Sequence, residues 1–181
     1  VNKINPINYS IPSDIGSGAF FIALTALSKN SQIIIKNVNV NPTRTGVIVI
    51  LKQMGVKINL LNKKIYKGEQ IADISVKSPS SLKSINCPTK FNSEAIDEFL
   101  IIFFIAAKAK AISIFKVLDE LNKKESLKVK WGSKFLKMIV IKVTTTKEPI
   151  KIFGNQQLEI IKKIITQKYL KDHRVYMTSF I

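Results

Sequence analysis

Asp97-Glu98-Phe99-Leu100-Ile101-Ile102-Phe103-Phe104-Ile105-Ala106-Ala107 is an acidic pair followed by nine apolar residues. An aspartate just ahead of such a run is a natural helix start. A helix that is apolar on nearly all sides has no face to offer water and belongs inside a domain. The run is too short to cross a bilayer, and Lys108 and Lys110 follow it at once. The same features occur 83 residues earlier, where Asp14, preceded by Pro12-Ser13, leads into Ala19, Phe20, Phe21, Ile22, Leu24 and Leu27. Asp14 with Phe20-Phe21 thus corresponds to Asp97 with Phe103-Phe104.

Working outward, the order of elements repeats as well. After the first helix, ended by Asn30-Ser31, Ile33 to Ile35 reads as a short strand. Asn41-Pro42-Thr43 reads as a turn and cap, and Val47, Ile48, Ile50, Leu51 and Met54 as a second helix. Gly55 stands where a helix C-terminal glycine belongs. Val56 to Leu61 alternates as a strand, Asn62-Lys63-Lys64 is expected to turn, and Ile71 to Val76 is a further strand. After the Asp97 helix come strand 112–115, a helix around 127–138, and strands 139–143 and 150–153. A third copy is expected to begin at Asp172 and to run only to Ile181. Such repetition predicts one α+β domain of similar units packed around shared buried helices.

Composition narrows the function classes. The chain has 181 residues, 46% of them hydrophobic, enough for one substantial core. Cys87 is its only cysteine, which excludes a disulfide framework and is read as an ordinary buried or half-buried thiol. The formal net charge is +17, and all but two of the 29 basic side chains are lysine. A lysine- and asparagine-rich coding bias accounts for much of that, while the field itself favours anionic ligands. The two arginines, Arg44 and Arg174, stand out, because only arginine offers a planar, permanently charged fork.

Five segments in order carry a resemblance. They are Ile11-Pro12-Ser13-Asp14-Ile15-Gly16-Ser17-Gly18-Ala19-Phe20, Asn41-Pro42-Thr43-Arg44-Thr45-Gly46, Ile96-Asp97-Glu98-Phe99, Glu120 through Lys128, and Asp172-His173-Arg174. Together they resemble the 5-enolpyruvylshikimate-3-phosphate synthase family over almost the whole chain. The resemblance implies two domains of βαβαββ units in an inverse α/β barrel arrangement, with the active site between them. It implies that residues 1–11 end an interdomain crossover and that 12–181 form one domain. Its units would cover about 12–92, 93–153 and a truncated 154–181. The chain is accordingly expected to be a piece of a longer enzyme, inactive alone and in need of the missing N-terminal domain.

The reaction so implied moves the enolpyruvyl group of phosphoenolpyruvate to the 5-hydroxyl of shikimate 3-phosphate and releases phosphate. Asp97 then corresponds to the catalytic aspartate, and Glu125 to a glutamate in proton transfer. Glu120, Lys124, Lys128, His173 and Arg174 correspond to substrate contacts. Local sequence alone leaves Asp97 open between a helix cap and a reactive carboxylate, and Lys124-Glu125 open between a solvated loop and a site. Lys128 departs from the family arginine, keeping charge without the fork, and Leu127 replaces an aspartate. Arg44 is expected to be a structural anchor away from the cleft. No cofactor or metal is expected, nor a nucleic-acid or membrane partner, and the full-length enzyme is expected to be a cytoplasmic monomer. A UDP-N-acetylglucosamine enolpyruvyl transferase is the nearest alternative. A basic nucleic-acid-binding module is the more distant one, disfavoured because the aromatics fall mainly on apolar helices.

Overall fold

A computed structural model describes residues 8–116, 132–134, 136–137, 141–144, 149–158, 177–178 and 181. Helix α1 spans Ile15–Leu27, and Asp14 caps it by accepting the Ser17 amide at 3.0 Å. Strand β1 is Gln32–Asn39, a 3-10 turn covers Pro42–Arg44, and α2 is Gly46–Gln53. Gly55 follows α2 at φ +94, the left-handed conformation that a glycine adopts most cheaply. Strands β2 (Lys57–Tyr66) and β3 (Glu69–Lys77) form a hairpin. The second part holds β4 (Asn86–Cys87), a 3-10 turn at Thr89–Phe91, α3 (Phe99–Ala107), β5 (Ile112–Phe115), β6 (Val143–Thr144) and β7 (Ile150–Phe153).

The fold is α+β, and the repeat is visible in its topology. One sheet runs β1-β3-β2 and the other β4-β5-β7-β6, so β5-β7-β6 reproduces the order of the first. Strand β4 pairs parallel to β5. Its counterpart in the first sheet is the parallel bridge between Ser13 and Val38. Each unit therefore enters on a short parallel strand that leads into its buried helix. Of the helix expected around 127–138, residues 132–134 and 136–137 are described and helical. The third copy lies outside the described residues except 177–178, which are helical, and 181.

All nine residues of α3 are buried. Phe99 and Phe103 pack with Phe115 of β5, Phe103 and Phe115 meeting at 4.8 Å between ring centres. Both sheets and helices α1, α2 and α3 contribute to one buried apolar cluster. Helix α1 is less enclosed than its composition suggests. Its glycine and alanine positions face inward, while Phe21 and Leu24 stay about half exposed, at 50% and 47%. Cys87 is buried, and burial pushes its thiol up to about 11.

The turn expected at Asn62-Lys63-Lys64 is instead a bulge within β2, and the chain reverses at Lys67-Gly68. Asn62 does adopt a left-handed φ of +52, but its side-chain amide donates to Asp73 Oδ2 at 2.8 Å and keeps the strand in the sheet. A matching bulge at Asn37, φ +51, carries β1 beyond the expected Ile33–Ile35. Asp73 serves both. Its Oδ1 accepts the Asn37 amide at 2.9 Å, and its Oδ2 accepts from Lys36 Nζ at 2.9 Å. One buried carboxylate on the central strand thus holds both neighbouring strands at their irregular points. Strand β6 is shorter than expected, starting at Val143; residues 139 and 140 lie outside the described set.

The hydrogen bond from Lys36, with those from Asn37 and Asn62, holds the Asp73 carboxyl well below the usual carboxylate range. A depressed folded-state pKa gives stability that is present above the ordinary value of about 3.9 and is lost as pH falls below it. Asp73→Asn should therefore melt lower than the parent at about pH 7, with the gap narrowing, though not vanishing, as pH falls to about 2.5. Thermal melts across that range check this; parallel curves would contradict it.

Candidate functional site

The segment that delivers Asp97 is a continuous run of turns from residue 92 to 98. Within it the Ala95 amide donates to the Phe91 carbonyl and the Glu98 amide to the Ala95 carbonyl, each at 3.0 Å. Helix α3 is therefore entered from backbone that is already helical, and Glu98, at φ −99 and ψ −2, takes the cap position without a side-chain cap bond. Asp97 sits one residue too early to cap α3. Glu98 rather than Asp97 therefore holds the N-cap position of α3, and its backbone is not the extended one typical of a side-chain cap.

Two further contacts fix this segment against the first unit. Helix α2 begins at Gly46, where a Cβ would lie 2.8 Å from Glu94 Cβ and 3.2 Å from Ala95 Cβ, so the absent side chain lets α2 abut the turn. Glu98, only 5% exposed, reaches the start of α1, where a Cβ on Gly16 would lie 3.1 Å from its Oε1. The N-termini of α1 and α3 therefore lie side by side, and both bring an acidic residue to the same end of the domain.

Arg44 joins them. Its Nη2 lies 3.6 Å from Asp14 Oδ1 and 3.8 Å from Asp97 Oδ2. Arg44, expected as a structural anchor, is thus also placed beside the candidate catalytic carboxylate. The Asn-Pro-Thr turn explains how. Asn41 Oδ1 accepts from the Thr43 amide and hydroxyl, each at 3.0 Å, and the Arg44 amide donates to the Asn41 carbonyl at 2.9 Å. Pro42 at the start presets the turn. The signal in the sequence was the retained arginine itself, and only the fold reveals what it faces.

Asp97 is part-exposed, its side chain 26% accessible. Glu120, Lys124, Glu125, Lys128, His173 and Arg174 all lie outside the described residues. Among the described residues no cluster of three or more His, Cys, Asp or Glu could hold a metal ion, and no helix is long and apolar enough to cross a membrane. A cavity of about 920 Å³ lies at the opposite ends of α1 and α3, lined by Leu27, Lys29, Phe104, Lys108 and Leu158 among others. There Lys108 Nζ donates to the Leu158 carbonyl at 2.7 Å. Its distance from the acidic end separates it from the chemistry expected of Asp97.

The family model for EPSP synthase (3-phosphoshikimate 1-carboxyvinyltransferase) matches residues 1–181. A curated relative of that name from Thermodesulfovibrio yellowstonii is 38% identical over 181 residues, covering 99% of this chain and 41% of its own length. Another, from Petrotoga mobilis, is 35% identical over 173 residues, covering 96% and 39%. A solved structure of EPSP synthase from Acinetobacter baumannii superposes with a TM-score of 0.83 at 37% identity, over 93% of this chain and 39% of that one. The fold is thus that of part of a carboxyvinyltransferase. The chain belongs to the EPSP synthase family, and it spans about two fifths of the length of the curated relatives it matches.

The packing of the Asp97 segment yields a pair of opposite expectations. Gly46→Ala forces a methyl group into Glu94 and Ala95, an overpacking that costs about 1–3 kcal/mol. Gly18→Ala, within α1, meets only Ile35 Cδ1 at 3.9 Å and should gain up to about 1 kcal/mol from helix propensity. Urea denaturation of both variants checks the signs; equal shifts would contradict the packing described.

Proposed function

We propose that this chain is the part of a 3-phosphoshikimate 1-carboxyvinyltransferase that carries the proton-transfer carboxylates and the groups that grip phosphoenolpyruvate. The observation that carries the reading is the family match across residues 1–181. Accessible Asp97 at the head of buried α3 is compatible with it. In the reaction proposed, the 5-hydroxyl of shikimate 3-phosphate attacks C2 of phosphoenolpyruvate while losing its proton, and C3 gains a proton. The tetrahedral adduct then loses a C3 proton and expels phosphate. Asp97 is read as the acceptor of the hydroxyl proton, a role that needs a carboxylate on a fixed support at the cleft.

Lys124 and Glu125 are read as the pair that handles the proton at C3, and Glu120 as a substrate contact beside them. Lys128, His173 and Arg174 are read as the anion grip, supplying the cationic donors that a phosphate and a carboxylate require. Lys128 supplies a point charge where the family resemblance calls for a fork, so Arg174 carries more of the orientation. The partners are phosphoenolpyruvate, shikimate 3-phosphate and the remainder of a two-domain enzyme, which we take to work as a cytoplasmic monomer. The relatives described above bear the name of the shikimate enzyme, which favours it over an enzyme acting on UDP-N-acetylglucosamine.

The test joins this chain to the complementary part of the Thermodesulfovibrio yellowstonii relative and follows phosphate release from the two substrates. The chimera should turn over, the 181-residue chain alone should not, and Asp97→Asn in the chimera should lower kcat by about 100-fold or more. A chimera that turns over equally well with asparagine at this position would overturn the assignment.

A further inference from the structure

We infer that Arg44 is a positioning residue for Asp97, holding the carboxylate against the first unit so that it meets the substrate hydroxyl in one orientation. The inference rests on the reading of Asp97 as proton acceptor. It comes from a chain of contacts that runs from one repeat unit to the other. Asp14 uses Oδ2 to accept the Ser17 amide, which fixes it to the N-terminus of α1. Its Oδ1 faces Arg44 Nη2, and the same nitrogen faces Asp97 Oδ2. The equivalent aspartates of two units are therefore bridged by one guanidinium from the turn between them.

The backbone under each member is fixed independently. Arg44 rides on a turn closed by Asn41, and Asp97 on a turn abutted by Gly46. The guanidinium is permanently charged and planar, and one of its nitrogens, Nη2, faces both carboxylates. Arg44 is one of only two arginines among the 29 lysine and arginine residues.

The separations, 3.6 and 3.8 Å, exceed hydrogen-bond length, and the Arg44 side chain is 49% exposed. Such pairs add little stability. What the bridge can supply is orientation, to which proton transfer is sensitive: a displacement of about 1 Å can cost about 100-fold in rate. Arg44 should thus matter far more to kcat than to folding, the reverse of a residue that merely holds the fold together.

The experiment measures kcat and KM in the chimera described above for Arg44→Gln, Arg44→Lys, Asp97→Asn and the Arg44→Gln/Asp97→Asn double variant. Melting temperatures are taken on the 181-residue chain. Arg44→Gln should lower kcat about 10- to 100-fold with KM changed by less than about twofold. It should lower the melting temperature by no more than about 2–4 °C. Arg44→Lys should fold and recover part of the rate, and it carries the test should Arg44→Gln not fold. The double variant should be no slower than Asp97→Asn, because Arg44 acts through that carboxylate. A kcat within about twofold of the parent overturns the inference, as does additive loss in the double variant. A rise in KM alone overturns it too, since it would make Arg44 a direct ligand of an anionic substrate. If Asp97→Asn alone leaves kcat intact, the underlying reading falls first, and that result is read without any Arg44 variant.

Discussion

Every side chain of α3 is withdrawn from water, and that constraint organises the rest of the molecule. A helix with no polar face needs cover on all sides, and one amphipathic neighbour cannot give it. The repeated units meet the need, with α1, α2 and the β5–β7 sheet each packing on α3. The aromatic group of Phe99, Phe103 and Phe115 ties the helix to the strand that follows it. Because burial pins α3 along its length, its N-terminal end is a rigid place from which to present a carboxylate.

That end is also where the two units are stitched together by polar groups. Gly46 lets α2 press on residues 94 and 95, Glu98 reaches the start of α1, and Arg44 spans Asp14 and Asp97. None of these contacts is large in free energy. Their value is geometric: they narrow the positions that residue 97 can take. The six-residue stretch from Asn41 to Gly46 thus reads as a clasp, its asparagine and proline shaping a turn, its arginine reaching across, and its glycine making room.

Much of this was legible in the amino-acid sequence. The Asp14 and Asp97 helices, the C-terminal glycine of α2 and the strands at 112–115 and 150–153 follow from periodicity and punctuation, which are local properties. The turn expected at Asn62-Lys63-Lys64 failed because asparagine's tolerance of positive φ serves a bulge as well as a reversal, and Asp73 decides between them. Asp73 is the signal for that choice: an aspartate in the middle of an apolar strand is against β propensity and asks for a reason. Asp97 was legible as a helix-start aspartate and through its resemblance to a family motif. Its neighbour Arg44 was not, since a contact across 53 residues is a property of the fold and leaves no spacing to read. The remaining candidate side chains lie outside the described residues, so their grouping rests on family membership.

The account comes down to whether the carboxylate at residue 97 shares a cleft with the cations at 124, 128 and 174. A crystal structure of the chimera with phosphoenolpyruvate and shikimate 3-phosphate bound measures this directly. The account predicts Asp97 within hydrogen-bond reach of the shikimate 5-hydroxyl, with Lys124, Lys128 and Arg174 around the phosphoenolpyruvate anions. Ligands bound with Asp97 turned away, or those four side chains spread over separate faces, would contradict it.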